Sequence, residues 1–143
     1  MSVKEIKALV HRLFDEYNKG KAAAWAVADE VCTTDFVLHS TEDVRGLTNF
    51  KQHDSQLFTA FPDIHFTVED IIVEGDKVAM RYTMTGTHKG EFKGIPPTNK
   101  KITALAIEID HIVDGKFAEA WVQFDTLALL QQLGLAPTTG KGR

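Results

Sequence analysis

The sequence predicts a single α+β domain in which helices come first and a curved, mostly antiparallel sheet follows. Three observations carry that prediction. Apolar residues recur at spacings of three and four up to Phe61, and with a period of two from Ile64 to Phe124. Helices dominate the first part and long strands the rest, with one short strand before the third helix and a helical turn at the end, a pattern that argues against a parallel α/β fold. A chain of 143 residues is one domain by size and buries most of its apolar surface.

Ser2-Val3-Lys4-Glu5 has the S-x-x-E form of a capping box, so a helix starts at once. Its stripe is Ile6, Leu9, Val10, Leu13, Phe14 and Tyr17. Gly20 suits the end of that helix, and Ala22–Val31 forms a second one with Trp25, Ala28 and Val31 inward. Thr33-Thr34-Asp35 reads as a break, Phe36–Ser40 as a short strand and Thr41–Gly46 as a loop. Thr48 or Asn49 caps a third helix that runs to about Phe61, where Pro62-Asp63 ends it. Its stripe of Phe50, Leu57, Phe58 and Phe61 is interrupted by His53 and Asp54, two polar residues on a face meant for burial.

Ile64–Glu74 and Val78–His88 make a hairpin around Gly75-Asp76. Val78, Met80, Tyr82 and Met84 form its core face, which leaves Arg81 on the other face as an ion-pair partner. Gly86, Gly90, Gly94 and Pro96-Pro97 then punctuate a loop before the chain resumes as Ile102–Val113, turns at Asp114-Gly115 and returns as Phe117–Phe124. Thr126–Leu133 is a last helical turn closed by Gly134, and residues 137–143 read as a flexible tail to a domain spanning 1–136.

A net charge of −4 with no basic cluster argues against a nucleic-acid surface. No apolar run approaches the ~20 residues that span a bilayer. The amphipathic N-terminus has no signal-peptide core, and the lone Cys32 excludes an intrachain disulfide, so a reducing cytoplasm is expected.

No nucleophile elbow, phosphate-binding glycine loop or zinc-binding H-E-x-x-H motif is present. The six histidines never fall four apart, and no metal site is expected. The candidates for chemistry are polar residues at apolar positions. Asp125 follows Trp121 and Phe124, whose burial would raise its pKa and suit proton transfer; capping the last helix is the competing role. Glu108 and Asp110 share one strand face, and Glu108 is a second acid/base candidate if that face is inward. His39, at a strand end, is a third. His53, Trp25, Phe50, Phe58, His88, Phe92, Trp121 and Phe124 complete the expected pocket. In the Gly90–Thr98 loop, Phe92 and Ile95 are too apolar for water and are expected at the pocket rim or the sheet edge.

The run GTHKGEFKGIPPTNKK, preceded by AFPDIHFTVEDIIVEGDKVAMRY and followed by IVDGKFAEAW and QQLG, resembles the SnoaL-like polyketide cyclase family. The likeness covers nearly the whole chain. It implies the NTF2-like cone, a small hydrophobic molecule held inside it, acid/base chemistry without a cofactor, and a sheet-to-sheet homodimer. The resemblance also implies a working Asp on the last strand helped by a His on the strand before. Val122 and Glu108 stand at those places here, so that pair is not reproduced. A non-catalytic small-molecule binder and an epoxide hydrolase or ketosteroid isomerase-like relative are the alternatives. The expected homodimer would cover Ile107, Ile109 and Val113 together with Ala118, Ala120 and Val122.

Overall fold

In the computed structural model, which describes residues 1–135, four helices pack on one face of a six-stranded sheet. The expected tail, 137–143, lies outside the described residues. The first helix, α1 (Val3–Tyr17), begins with the anticipated capping box: Glu5 N–H donates to Ser2 Oγ at 3.1 Å and Ser2 N–H to Glu5 Oε1 at 2.8 Å. Ile6, Val10, Phe14 and Tyr17 bury the stripe. Helix α2 (Lys21–Val31) follows after Gly20, whose φ of 113° excludes an ordinary side chain.

Strand β1 (Cys32–His39) starts directly after α2 ends, so Thr33-Thr34-Asp35 belongs to the strand, which begins before the expected Phe36. The β-branched threonines suit a pleated edge better than the helix they follow. The expected loop contains a short strand, β2 (Asp43–Arg45). Helix α3 (Leu47–Ala60) begins two residues before Asn49, after Gly46, with no side-chain cap. The sheet continues with β3 (His65–Glu74), β4 (Lys77–Thr87), β5 (Lys101–Val113) and β6 (Lys116–Phe124), and helix α4 (Thr126–Gln132) closes the fold. Strand order is β2-β1-β6-β5-β4-β3, antiparallel except where β1 meets β6.

The inner face of β4 carries Val78, Met80, Tyr82 and Met84, and Arg81 on the outer face donates from Nε to Asp70 at 2.8 Å, both as expected. On β5 the even residues Ile102, Ala104, Ala106, Asp110 and Ile112 are buried, so Glu108 and Asp110 do face inward. Strand β6 departs from expectation. Ile112 pairs with Phe117 but His111 pairs with Glu119, so Ala118 is an extra residue that reverses the parity beyond it. Ala120 and Val122 therefore turn inward, and Trp121 turns outward, opposite Ile109.

The 88–100 segment is tied down at both ends. His88 N–H donates to Lys100 O and Asn99 N–H to His88 O, each at 2.8 Å. Lys89 and Gly90 N–H both donate to Ala60 O at the end of α3, at 2.9 and 3.1 Å. At the tip, Phe92 and Ile95 exchange backbone hydrogen bonds across Lys93 (φ 50°) and Gly94 (φ 81°), the positive-φ pair of a tight hairpin turn. This turn presses Phe92 against Phe61, with ring centroids 5.5 Å apart.

Candidate active site in the cone cavity

The helices and the sheet's inner face enclose a cavity of about 160 Å³. Leu13, Phe14 and Tyr17 of α1 line one side, and Phe50, His53, Asp54 and Leu57 of α3 another. Spacing of three and four brings those α3 residues onto one face, which is why two polar groups interrupt the stripe. Tyr82, Glu108, Asp110, Phe117, Val122 and Phe124 supply the sheet wall, and Phe92 and Lys93 the loop side.

Two polar clusters stand out in this aromatic enclosure. In the first, Tyr82 O–H donates to Glu108 Oε1 at 2.9 Å, and Glu108 is hydrogen-bonded to Asp110, two residues along the same strand face. Burial raises the Glu108 pKa. Burial, then the neighbouring Glu108 charge, raises that of Asp110 well above the carboxylate range. Two carboxyls this close cannot both ionise cheaply, so one proton stays with the pair. The mutual bond favours ionised Glu108 and protonated Asp110, which places that proton on Asp110. In the second cluster Tyr17 O–H donates to Asp54 Oδ2 at 2.9 Å, and His53 Nδ1 lies 3.5 Å from Asp54 Oδ1. Burial, followed by the facing carboxylates, pushes both phenols up, so they remain donors. Burial, then Asp110, pushes the Cys32 thiol up to about 12, so it lines the cavity as a thiol.

Of the residues singled out in the sequence, Glu108, His53, Phe50, Phe92 and Phe124 line this cavity. His39 does not, because odd residues of β1 point to the outer face while Phe36 and Leu38 point inward. There its two ring nitrogens meet Asp43 at 2.8 Å and Glu119 at 2.5 Å, and its ring stacks on Trp121. Those carboxylates, Glu119 first, raise the His39 pKa. Trp121 leaves the pocket through the β6 bulge. Phe58 and Trp25 pack on each other behind Tyr17. His88 is fully buried against Phe61, its Nδ1 accepting from Thr98 N–H at 3.2 Å, and it organises the loop base.

Asp125 is exposed and accepts from Ala128 N–H at 3.1 Å, the capping role that competed with catalysis in the sequence. Asp125→Ala is expected to cost about 1 kcal/mol in thermal denaturation and to leave ligand binding in the cavity unchanged. From the sequence alone, Tyr17 and Asp110 carry no site role, and Tyr82 is only weak support for the isomerase-like alternative. A phenol in a buried stripe, able to reach a carboxylate, is the signal that would have found the two tyrosines.

Among the described residues, no cluster of three or more His, Cys, Asp or Glu is placed to hold a metal, and no helix is long and apolar enough to cross a membrane.

Four helices on an open, mostly antiparallel six-stranded sheet give the chain the NTF2-like fold. The model of the SnoaL-like polyketide cyclase family matches residues 8–133, and the chain belongs to that family. Among curated proteins it resembles the aklanonic acid methyl ester cyclase DauD of Streptomyces sp. strain C5, at 29% identity over 94% of this chain and 84% of DauD. Among solved structures, a protein of Jannaschia sp. CCS1 assigned as a SnoaL-like polyketide cyclase superposes with a TM-score of 0.86 at 27% identity, covering 96% and 98% of the two chains. AclR of Streptomyces galilaeus, assigned as a hydroxylase, gives 0.87 at 31% identity over 98% and 87%.

Proposed function

We propose that this chain is a cofactor-free acid/base enzyme of cyclase or isomerase type, with Glu108 as the base, acting on a hydrophobic carbonyl compound held in the cone. The observation that carries the reading is the buried Glu108 carboxylate in an apolar cavity, held by the Tyr82 hydroxyl at 2.9 Å and by Asp110. Desolvation strengthens a carboxylate as a base, and the two donors fix its direction. Glu108 removes a proton from a carbon next to a carbonyl, and the C–H electrons pass to the carbonyl oxygen as an enolate. In a cyclisation the enolate carbon attacks a second carbonyl of the same molecule; one C–C bond forms, and the new alkoxide takes the proton back from Glu108. No atom is gained or lost. The aromatic lining excludes water, and His53, which also borders the cavity, is placed to donate to a developing oxyanion.

The name of the relative DauD makes aklanonic acid methyl ester one substrate to try. A test that needs no particular substrate is exchange of the α-proton of 2-acetylcyclohexanone in D₂O, followed by NMR. Acceleration over buffer supports the reading; a rate equal to buffer contradicts it. The second reading, a non-catalytic binder, is favoured by Val122, which stands across the ladder from Glu108 where the family resemblance implies the working Asp.

The same reading includes a homodimer. Ile72, Ala79, Ile109 and Trp121 lie in one row across the outer sheet face, and Leu105 and Ile107 are exposed beside it. A second copy laid on this face removes the row from water. Light scattering at micromolar concentration is expected to give twice the chain mass, reduced to the chain mass by Ile107→Lys; a wild-type monomer contradicts it. A reducing cytoplasm suits the single, buried, free Cys32.

A further inference from the structure

We infer that Asp110 is a specificity residue whose free carboxyl oxygen accepts a hydrogen bond from a neutral hydroxyl of the ligand at the cavity floor. The inference rests on the cavity being the ligand site, not on Glu108 acting as a base. Asp110 is only 2% exposed, lies on β5 between the apolar partners Val78 and Ala120, and borders the cavity. Its Oδ1 receives no hydrogen bond from any described residue. A buried acceptor without a donor is costly, and native interiors rarely keep one without a purpose.

The groups around Asp110 decide which donor fits. Glu108 takes the O–H of the protonated Asp110 carboxyl, which leaves Oδ1 as a carbonyl-type acceptor. The Tyr82 and Tyr17 hydroxyls are already committed to Glu108 and Asp54. Neither phenol is therefore free for Oδ1, no described side chain donates to it, and a ligand donor completes it. A ligand carboxylate is excluded, because Glu108 and Asp54 border the same space. Lys93, the sole lysine or arginine in the cavity lining, sits on the loop that closes the side of the cavity. The remaining class is an uncharged hydroxyl on an apolar body, directed inward.

Calorimetric titration of the whole chain at neutral pH with 2-naphthol, 2-methoxynaphthalene and 2-naphthoate tests this. Wild type is expected to bind 2-naphthol about tenfold tighter than its methyl ether, with naphthoate weakest. Asp110→Asn keeps a carbonyl acceptor and donates its amide to Glu108, so the hydroxyl preference survives. Asp110→Leu loses it. Glu108→Gln keeps the preference while abolishing α-proton exchange, which separates this inference from the proposed reaction. Equal binding of naphthol and ether by wild type, or binding of neither, overturns the inference. So does loss of the preference in Glu108→Gln or in Asp110→Asn. Should Asp110→Leu not fold by circular dichroism, the wild-type and Asp110→Asn titrations decide alone.

Discussion

Glu108→Gln is expected to lower catalysed α-proton exchange by about 10²- to 10⁴-fold, the range associated with one positioned proton-transfer group. The substitution is nearly isosteric. The amide oxygen still accepts from Tyr82 O–H, so the packing of Phe14, Phe66 and Tyr82, whose rings lie 4.8 to 5.9 Å apart, is undisturbed. What disappears is the capacity to take a proton. Stability is expected to hold or rise, since a buried carboxylate is replaced by a neutral group that still accepts from Tyr82. A folded Glu108→Gln protein that keeps more than about a tenth of the rate removes Glu108 from the mechanism, because the expected loss is 10²-fold or greater.

The largest expected effect on stability is at Gly90. A β-carbon there would lie 2.1 Å from Thr59 O and 2.9 Å from Thr59 C. The obstacle is the backbone of the last turn of α3, which cannot move aside as a side chain does. That turn is also where Lys89 and Gly90 N–H bond to Ala60 O. Gly90→Ala must therefore separate the loop from the helix or distort the helix end. A cost of about 3 kcal/mol is expected, at the upper end of overpacking effects. For a domain of this size that is a fall in melting temperature of about 10 °C. Phe92 leaves the cavity wall with the loop, so weaker ligand binding should accompany the lower melting point. An unchanged melting temperature would show that the loop is not docked on α3 as described.

The helical half was legible because its signals are local. A capping box and a stripe at three and four spacing predict α1 without knowledge of anything else in the chain. Period two likewise marked the inner face of β4, and on β5 it put Glu108 and Asp110 on one face whose direction only the fold fixes. His53 and Asp54 were visible as polar residues in an apolar stripe, and both border the cavity. What failed was parity. One extra residue at Ala118 inverts every side chain after it, and no local pattern announces a bulge in a strand whose apolar residues already fall on both parities. Trp121, Ala120 and Val122 were misplaced for that reason. His39 was misread because an end-of-strand residue has little alternation beyond it to fix its face. The two phenol–carboxylate contacts escaped because they join residues 37 and 26 positions apart, across elements that only the tertiary fold brings together.

The central claim is that Glu108 is a buried base, and the pH dependence of catalysed exchange tests it most directly. A base works in its ionised form, so the rate must be low in acid and climb as Glu108 loses its proton. Because burial raises the Glu108 pKa above the ordinary glutamate value of 4.5, the climb is expected at a pH above that value. It should vanish in Glu108→Gln and persist in Asp125→Ala. A midpoint at or below the ordinary glutamate range, or the same profile in Glu108→Gln as in wild type, would contradict the account.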